Sequence, residues 1–167
     1  MKKCVFAGTF DPPTLGHEAV VFDALGMFDE VVIAVLINPA KQPYFSVEER
    51  LEMLRLTFGN EPRVRFRTFS GVIVDLLKEE NTPFYVRGIR NTVDFEYENA
   101  NLYASRKLDP SVVAVYLPCR QELLHVSSTV VKNSLKFSTP IDEYVGESVK
   151  QYILAREKAR TEVGEKE

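Results

Sequence analysis

With 167 residues, 45% of them hydrophobic and 27% charged, the chain is sized for one domain with its own core. Its composition is that of a globular protein, not of a disordered, collagen-like or membrane-spanning one. The formal net charge of −3 argues against general nucleic-acid binding, which needs a net basic face, but leaves room for a small anion held by a local cluster of positive groups.

The first strand is read in CVFAG (4–8). The opening MKKCVFAG has too short an apolar run for a signal peptide, and no later stretch approaches the ~18 apolar residues that would span a bilayer. A soluble, cytoplasmic protein without membrane partners is expected. Cys4 and Cys119 each sit in an apolar run, without a CxxC partner or zinc spacing, and read as buried reduced thiols. No resident metal site is expected.

The first strand runs into Gly8-Thr9-Phe10-Asp11-Pro12-Pro13-Thr14-Leu15-Gly16-His17. This is neither GxGxxG nor GxxxxGK[ST], yet it occupies the same place: strand end, tight loop, helix N-terminus. Gly8 and Gly16 let the backbone approach a ligand, and the helix N-terminus offers free N–H groups to an anion. From His17 to Phe28 a helix is predicted, with Val20, Val21, Ala24, Leu25 and Phe28 on one stripe. A lone histidine on that stripe would be a core residue. In the first turn after such a loop, His17 reads instead as a donor to a phosphate oxygen.

EVVIAVLI (30–37) is a second strand, apolar enough to be covered on both faces. It leads into NPAKQPYF, whose Lys41 stands at a strand's carboxyl end, a position where a lysine alone is usually just solvated. Ser46 and Glu49 make a capping box for a helix whose Val47, Leu51, Leu54 and Phe58 share a face. RVRFRTF (63–69) is a strand and 72–80 a helix. PFYVRG (83–88) is a strand ending in Arg87-Gly88-Ile89-Arg90. Two arginines three apart either grip phosphate oxygens or form an ordinary surface pair.

A longer helix follows over 92–108, with Glu98 on the face of Phe95 and Leu102; that carboxylate either pairs with an arginine or receives a ligand hydroxyl. After the fifth strand, VVAVYLP (112–118), Val126-Ser127-Ser128-Thr129 opens another helix. Its three successive hydroxyls serve as a cap or bind phosphate. A last helix is predicted from about Ile141 into a charged tail. A single domain is expected over 1–158, with 159–167 frayed or disordered.

Strands alternating with helices imply right-handed βαβ crossovers, hence an α/β, Rossmann-like, doubly wound five-stranded parallel sheet with helices on both faces. Ligands bind such sheets outside the carboxyl ends of the strands, where strand order reverses. Thr9, His17, Lys41, Arg87, Arg90 and Ser127 to Thr129 all follow strand ends on that one rim, and polyphosphate recognition is the economical explanation.

At these residues the chain resembles the nucleotidyltransferase superfamily with a T/HxGH signature, and more closely the bacterial phosphopantetheine adenylyltransferase family. GTFDPPTLGH, Lys41, RGIRNTVDFEYE (87–98) and SSTVVK (127–132) recur in that family's order and spacing. Thr14, standing where many superfamily members have a first histidine, favours this family, and the similarity extends to about residue 150.

The resemblance implies an enzyme of coenzyme A biosynthesis. In it, the phosphate of 4′-phosphopantetheine attacks the α-phosphorus of ATP in line, giving dephospho-coenzyme A and pyrophosphate. It implies catalytic roles for His17, Lys41 and Arg90. Thr9, Lys41 and Arg87 would hold the acceptor's phosphate, with the backbone near Ile73 along its arm. ATP would be held by Thr9, Phe10, His17, Gly88, Ile89, Arg90, Glu98 and the segment Leu123, Leu124, His125, Val126, Ser127, Ser128 and Thr129. Mg²⁺ would be bound mainly through ATP phosphates and water. A homo-oligomer, often a hexamer, is implied as well.

The residues fit such chemistry independently. No serine or cysteine is paired with a base, so no covalent intermediate is suggested, and a phosphate attacking phosphorus needs positioning and charge neutralisation more than a strong base. The chain departs from the family at His125 to Thr129, where an aromatic residue before isoleucine and three serines are common, and at Leu123, where an aromatic is frequent. Two alternatives are adenylyl transfer to nicotinate mononucleotide and a non-catalytic nucleotide-binding module.

Overall fold

In the computed structural model, which describes residues 1–164, the five apolar runs form one parallel sheet. Its strands are β1 (Lys3–Gly8), β2 (Glu30–Leu36), β3 (Val64–Phe69), β4 (Phe84–Ile89) and β5 (Val113–Pro118). Strands β1 and β2 are apolar at every interior position because both of their faces are covered. Cys4 and Phe6 of β1 join Val31, Ile33 and Val35 of β2 on one side, while Val5 and Ala7 join Val32 and Ala34 on the other.

Among the described residues, six α-helices cover the sheet and extend it. Helices α1 (Leu15–Leu25) and α2 (Val47–Phe58) pack on the first face through Val20, Val21, Leu54 and Phe58. Helices α3 (Ile73–Glu79) and α4 (Thr92–Leu108) pack on the second through Leu76, Leu77 and Leu102. The expected capping box starts α2: the Ser46 hydroxyl accepts the Glu49 N–H at 3.1 Å and the Glu49 carboxylate accepts the Ser46 N–H at 2.7 Å.

Helices α5 (Ser128–Lys136) and α6 (Glu147–Gly164) form a third layer, closed by Phe45, Met53, Val131, Ile141 and Ile153. Ile141 belongs to this core but precedes the helix it was expected to start. Helix α6 runs on to Gly164, through the first part of the segment 159–167 expected to fray; the rest of that segment lies outside the described residues.

Strand order is β3-β2-β1-β4-β5. The chain builds outward from β1 through β2 to β3, then crosses back to place β4 on the other side of β1. Successive connections therefore diverge between β1 and β4, leaving a crevice over their carboxyl ends. Packing there is close: a Cβ added to Gly88 would lie 2.8 Å from the Val20 methyl of α1. Gly88→Ala is therefore expected to lower stability by about 1–3 kcal/mol as the core shifts to admit the methyl. Urea unfolding that leaves the midpoint unchanged would contradict this packing.

Candidate active site

The loop from β1 to α1 is built against the protein interior. Phe10 turns back with φ 50°, and its buried ring wedges between Phe6, at 5.2 Å between centroids, and His17, at 5.0 Å. Gly8 makes room for it, since a Cβ there would meet the Phe10 ring at 3.2 Å. Asp11, 3% exposed, accepts the N–H groups of Tyr44 and Phe45 at 2.9 and 2.8 Å and pairs with Lys132 of α5 at 3.2 Å. The Thr9 carbonyl accepts a 2.8 Å bond from the buried Arg50 of α2.

Thr14 caps α1 in a capping box with histidine in the place usually taken by glutamate or glutamine. The Thr14 N–H donates to His17 Nδ1 at 3.0 Å, and the His17 N–H donates to the Thr14 hydroxyl at 3.4 Å. A ring nitrogen that accepts a backbone N–H carries no proton, so in the neutral ring the proton sits on Nε2. Among the described residues no fully buried side-chain nitrogen or oxygen lacks a partner; Nε2, which bonds to no protein group, therefore meets the cleft. Burial first, then the charges of Arg87 and Arg90, lower the imidazole pKa to about 4. At neutral pH His17 is an uncharged, oriented N–H donor.

Opposite His17, Arg87 donates to the Ala7 carbonyl at 2.6 Å and to the buried Glu98. Of the two roles open to Glu98, pairing with an arginine is the one observed. Arg90 donates to Asp94 at 3.1 Å from its Nε. The Ser127 hydroxyl caps α5 by accepting the Val130 N–H at 3.2 Å, and the Ser128 hydroxyl donates to the Pro12 carbonyl at 2.8 Å. These groups line one cleft of about 560 Å³ over the ends of β1 and β4.

The cleft gathers Thr9, Phe10, His17, Arg87, Gly88, Arg90, Glu98, Val126, Ser127 and Ser128 from the expected site. Phe10 can serve a ligand only through its backbone, because its ring is core. Lys41 is exposed in the loop after β2, where its N–H and that of Ala40 fold back on Asn38, and its side chain does not line the cleft. Ile73 opens α3 and packs on the second face of the sheet. Ile89, Leu123, Leu124, His125 and Thr129 stand outside the lining; Leu123 closes a short 3-10 turn, Gln121–Leu123, that leads toward α5.

Cys119 is half-buried and borders the cleft, whereas Cys4 is buried as expected. Sequence reasoning missed Asp11, Arg50, Asp94 and Tyr97, and the tautomer-setting part of Thr14. Thr14 carried a local signal, the T-x-x-H spacing of a capping box, and Asp94 another, its four-residue spacing from Arg90. The partners of Asp11, and the Thr9 carbonyl that Arg50 holds, are 33 to 121 residues distant in sequence.

A family model described as cytidylyltransferase-like matches residues 5–134. The chain is 36% identical over 167 residues to the phosphopantetheine adenylyltransferase of Bordetella avium, covering 100% of both chains. It is 41% identical over 145 residues to that of Symbiobacterium thermophilum, covering 87% of this chain and 90% of the other. A crystal structure from Vibrio parahaemolyticus, of a protein provisionally named nicotinate-nucleotide adenylyltransferase, superposes with a TM-score of 0.70 over 94% of each chain. At 20% identity that likeness is one of fold alone.

The state of His17 can be tested directly. Its ring nitrogens, followed by NMR in the ligand-free protein, should report the Nε2–H tautomer at pH 7 and a protonation midpoint near 4. Because the folded pKa lies below the ordinary 6.5, the unfolded chain binds the extra proton first, and this residue's contribution to stability falls as pH drops from 6.5 toward 4. A midpoint at or above 6.5, or an Nδ1–H tautomer, would contradict the capping-box geometry.

Proposed function

We propose that this chain, which belongs to the cytidylyltransferase-like family and within it to the phosphopantetheine adenylyltransferases, transfers AMP from ATP to 4′-phosphopantetheine. The products are dephospho-coenzyme A and pyrophosphate. What carries the reading at the level of the site is His17: a neutral imidazole with its free N–H held at the β1/β4 crevice, beside two arginines. Such a group suits charge that develops on a phosphate oxygen, because it is aimed beforehand and need not change protonation.

In the reaction an oxygen of the acceptor's phosphate attacks the α-phosphorus of ATP. The new oxygen–phosphorus bond forms as the bond to the bridging oxygen of the β-phosphate breaks, and pyrophosphate leaves with that electron pair. The His17 N–H would donate to a non-bridging α-phosphate oxygen, more strongly in the pentavalent state than before it. Arg90, Gly88 and the start of α5 at Ser127 and Ser128 would hold ATP on the β4 side. Thr9 and Arg87 would hold the acceptor's phosphate, with Lys41 on the β2 side of the rim. Positioning of two anions supplies most of the acceleration in chemistry of this kind.

Magnesium, when bound, would neutralise charge on the departing pyrophosphate. Asp94 and Glu98, the carboxylates lining the cleft, are each engaged by an arginine, which fits an ion held by phosphate oxygens and water. No helix of the described residues is long and apolar enough to cross a membrane. A cytoplasmic location agrees with two free cysteines and a need for ATP. A homo-oligomer, in the form of a hexamer, is part of the same reading. Tyr103 and Leu108 of α4, each more than 60% exposed, are surface that a second copy would cover, and sedimentation would detect it as a multiple of 19.0 kDa.

Purified protein given ATP, magnesium and 4′-phosphopantetheine should release pyrophosphate, with little release from nicotinate mononucleotide. Release with the mononucleotide alone overturns the acceptor assignment. His17→Ala should lower kcat by roughly 10²–10⁴-fold while ATP affinity changes little, the pattern of a contact made in the transition state. Unchanged turnover would remove His17 from the mechanism.

A further inference from the structure

Arg50 is 2% exposed and heads the fully buried side chains by volume. A guanidinium in that position is costly unless it is paired and fully hydrogen-bonded, and a leucine or methionine would pack α2 beside Met53 and Leu54 without that cost. Capping of α2 does not require it, since Ser46 and Glu49 close that end. Its bonds run from Nη1 to the Thr9 carbonyl at 2.8 Å and from Nε to the Ser46 carbonyl at 3.3 Å; burial lowers its pKa, an effect that the nearby Asp11 carboxylate opposes. The long-range product of burying this charge is therefore a grip on one peptide unit, Thr9–Phe10.

That peptide is trans and planar, so its C=O and N–H point in opposite directions. With the oxygen drawn toward Arg50, the Phe10 N–H must point away from α2, and Phe10 lies in the cleft wall. Among the described residues this N–H donates to no protein acceptor. Phe10 also sits at φ 50°, a left-handed conformation that a phenylalanine adopts at a cost and that its wedged ring and the Arg50 bond both hold in place. Unpartnered N–H groups in such turns form anion-binding concavities.

We propose that Arg50 is a positioning residue: by holding the Thr9 carbonyl it aims the Phe10 N–H into the cleft as a fixed donor to a phosphate oxygen of ATP. The inference rests on the reading of the cleft as an ATP site. Without Arg50 the Thr9–Phe10 peptide can rotate and present a carbonyl oxygen to the phosphates, replacing a donor with a repelling acceptor.

The test is a titration of ¹⁵N-labelled protein with ATP alone, followed at the Phe10 amide, in the native chain and in Arg50→Met. The native Phe10 amide should shift strongly downfield on saturation. In Arg50→Met that shift should be lost while other cleft amides still respond, and kcat should fall about 10–100-fold with a smaller change in KM for ATP. Should Arg50→Met fail to fold, Arg50→Lys serves in its place. It keeps the charge but replaces the fixed guanidinium fork that reaches Thr9 and Ser46 from separate nitrogens with a compact ammonium, so its Phe10 shift should be reduced and its kcat intermediate. A native Phe10 amide that ignores ATP while its neighbours respond overturns the inference and leaves the ATP site standing. A folded variant with native shift and native kcat also overturns it. If no cleft amide responds to ATP, the inference falls together with the reading on which it rests.

Discussion

The buried carboxylate of Asp11 is the interaction on which the cleft depends. It lies midway along the first loop, accepts two backbone N–H groups from the segment entering α2, and pairs with Lys132 of α5. Three stretches of chain from different layers are thus held by one ionised group. Charge-assisted bonds of this kind are about twice as strong as neutral ones. Losing the carboxylate would strand two amide donors away from water. The loop between β1 and α1 is consequently part of the packed protein, held by the Arg50 bond to Thr9 and by the Phe10 ring wedged between Phe6 and His17.

The cleft does not gather anions by net charge. Arg87 is matched by Glu98 and Arg90 by Asp94, so both guanidinium groups are fixed in direction as well as partly compensated. Donors of defined aim do the rest: the His17 Nε2–H and the N-terminal ends of α1 and α5. This is how a chain with a net charge of −3 can present a surface suited to phosphates. Burial first, and then the charges of the two arginines, keep His17 neutral, because a further positive charge out of water beside them is unfavourable.

Residues that bear on the same chemistry were legible to different degrees. Strand ends were easy, since apolar runs such as VVIAVLI stop where the chain leaves the sheet, and the rim therefore contains Thr9, His17, Arg87, Arg90 and Ser127 much as read. Lys41 was read on the same logic, but β2 lies on one side of β1 and the crevice opens on the other, so its loop stands exposed beside the cleft. The three hydroxyls of Ser127 to Thr129 divided among a helix cap, a bond to Pro12 and solvent, a division that depends on where α5 docks.

The chain's sequence by itself determined the alternation of strands and helices, the parallel doubly wound sheet and the rim on which chemistry gathers. These follow from periodicities of two and 3.6 residues and from capping patterns spanning four, all local and therefore written in adjacent letters. Only the tertiary structure decided that Glu98 serves Arg87, that Asp11 ties three stretches of chain together, and that Arg50 bonds the Thr9 carbonyl. Each of those depends on which buried charge finds which partner across 11 to 121 residues of chain, and that is settled by packing in three dimensions, where no local period records it.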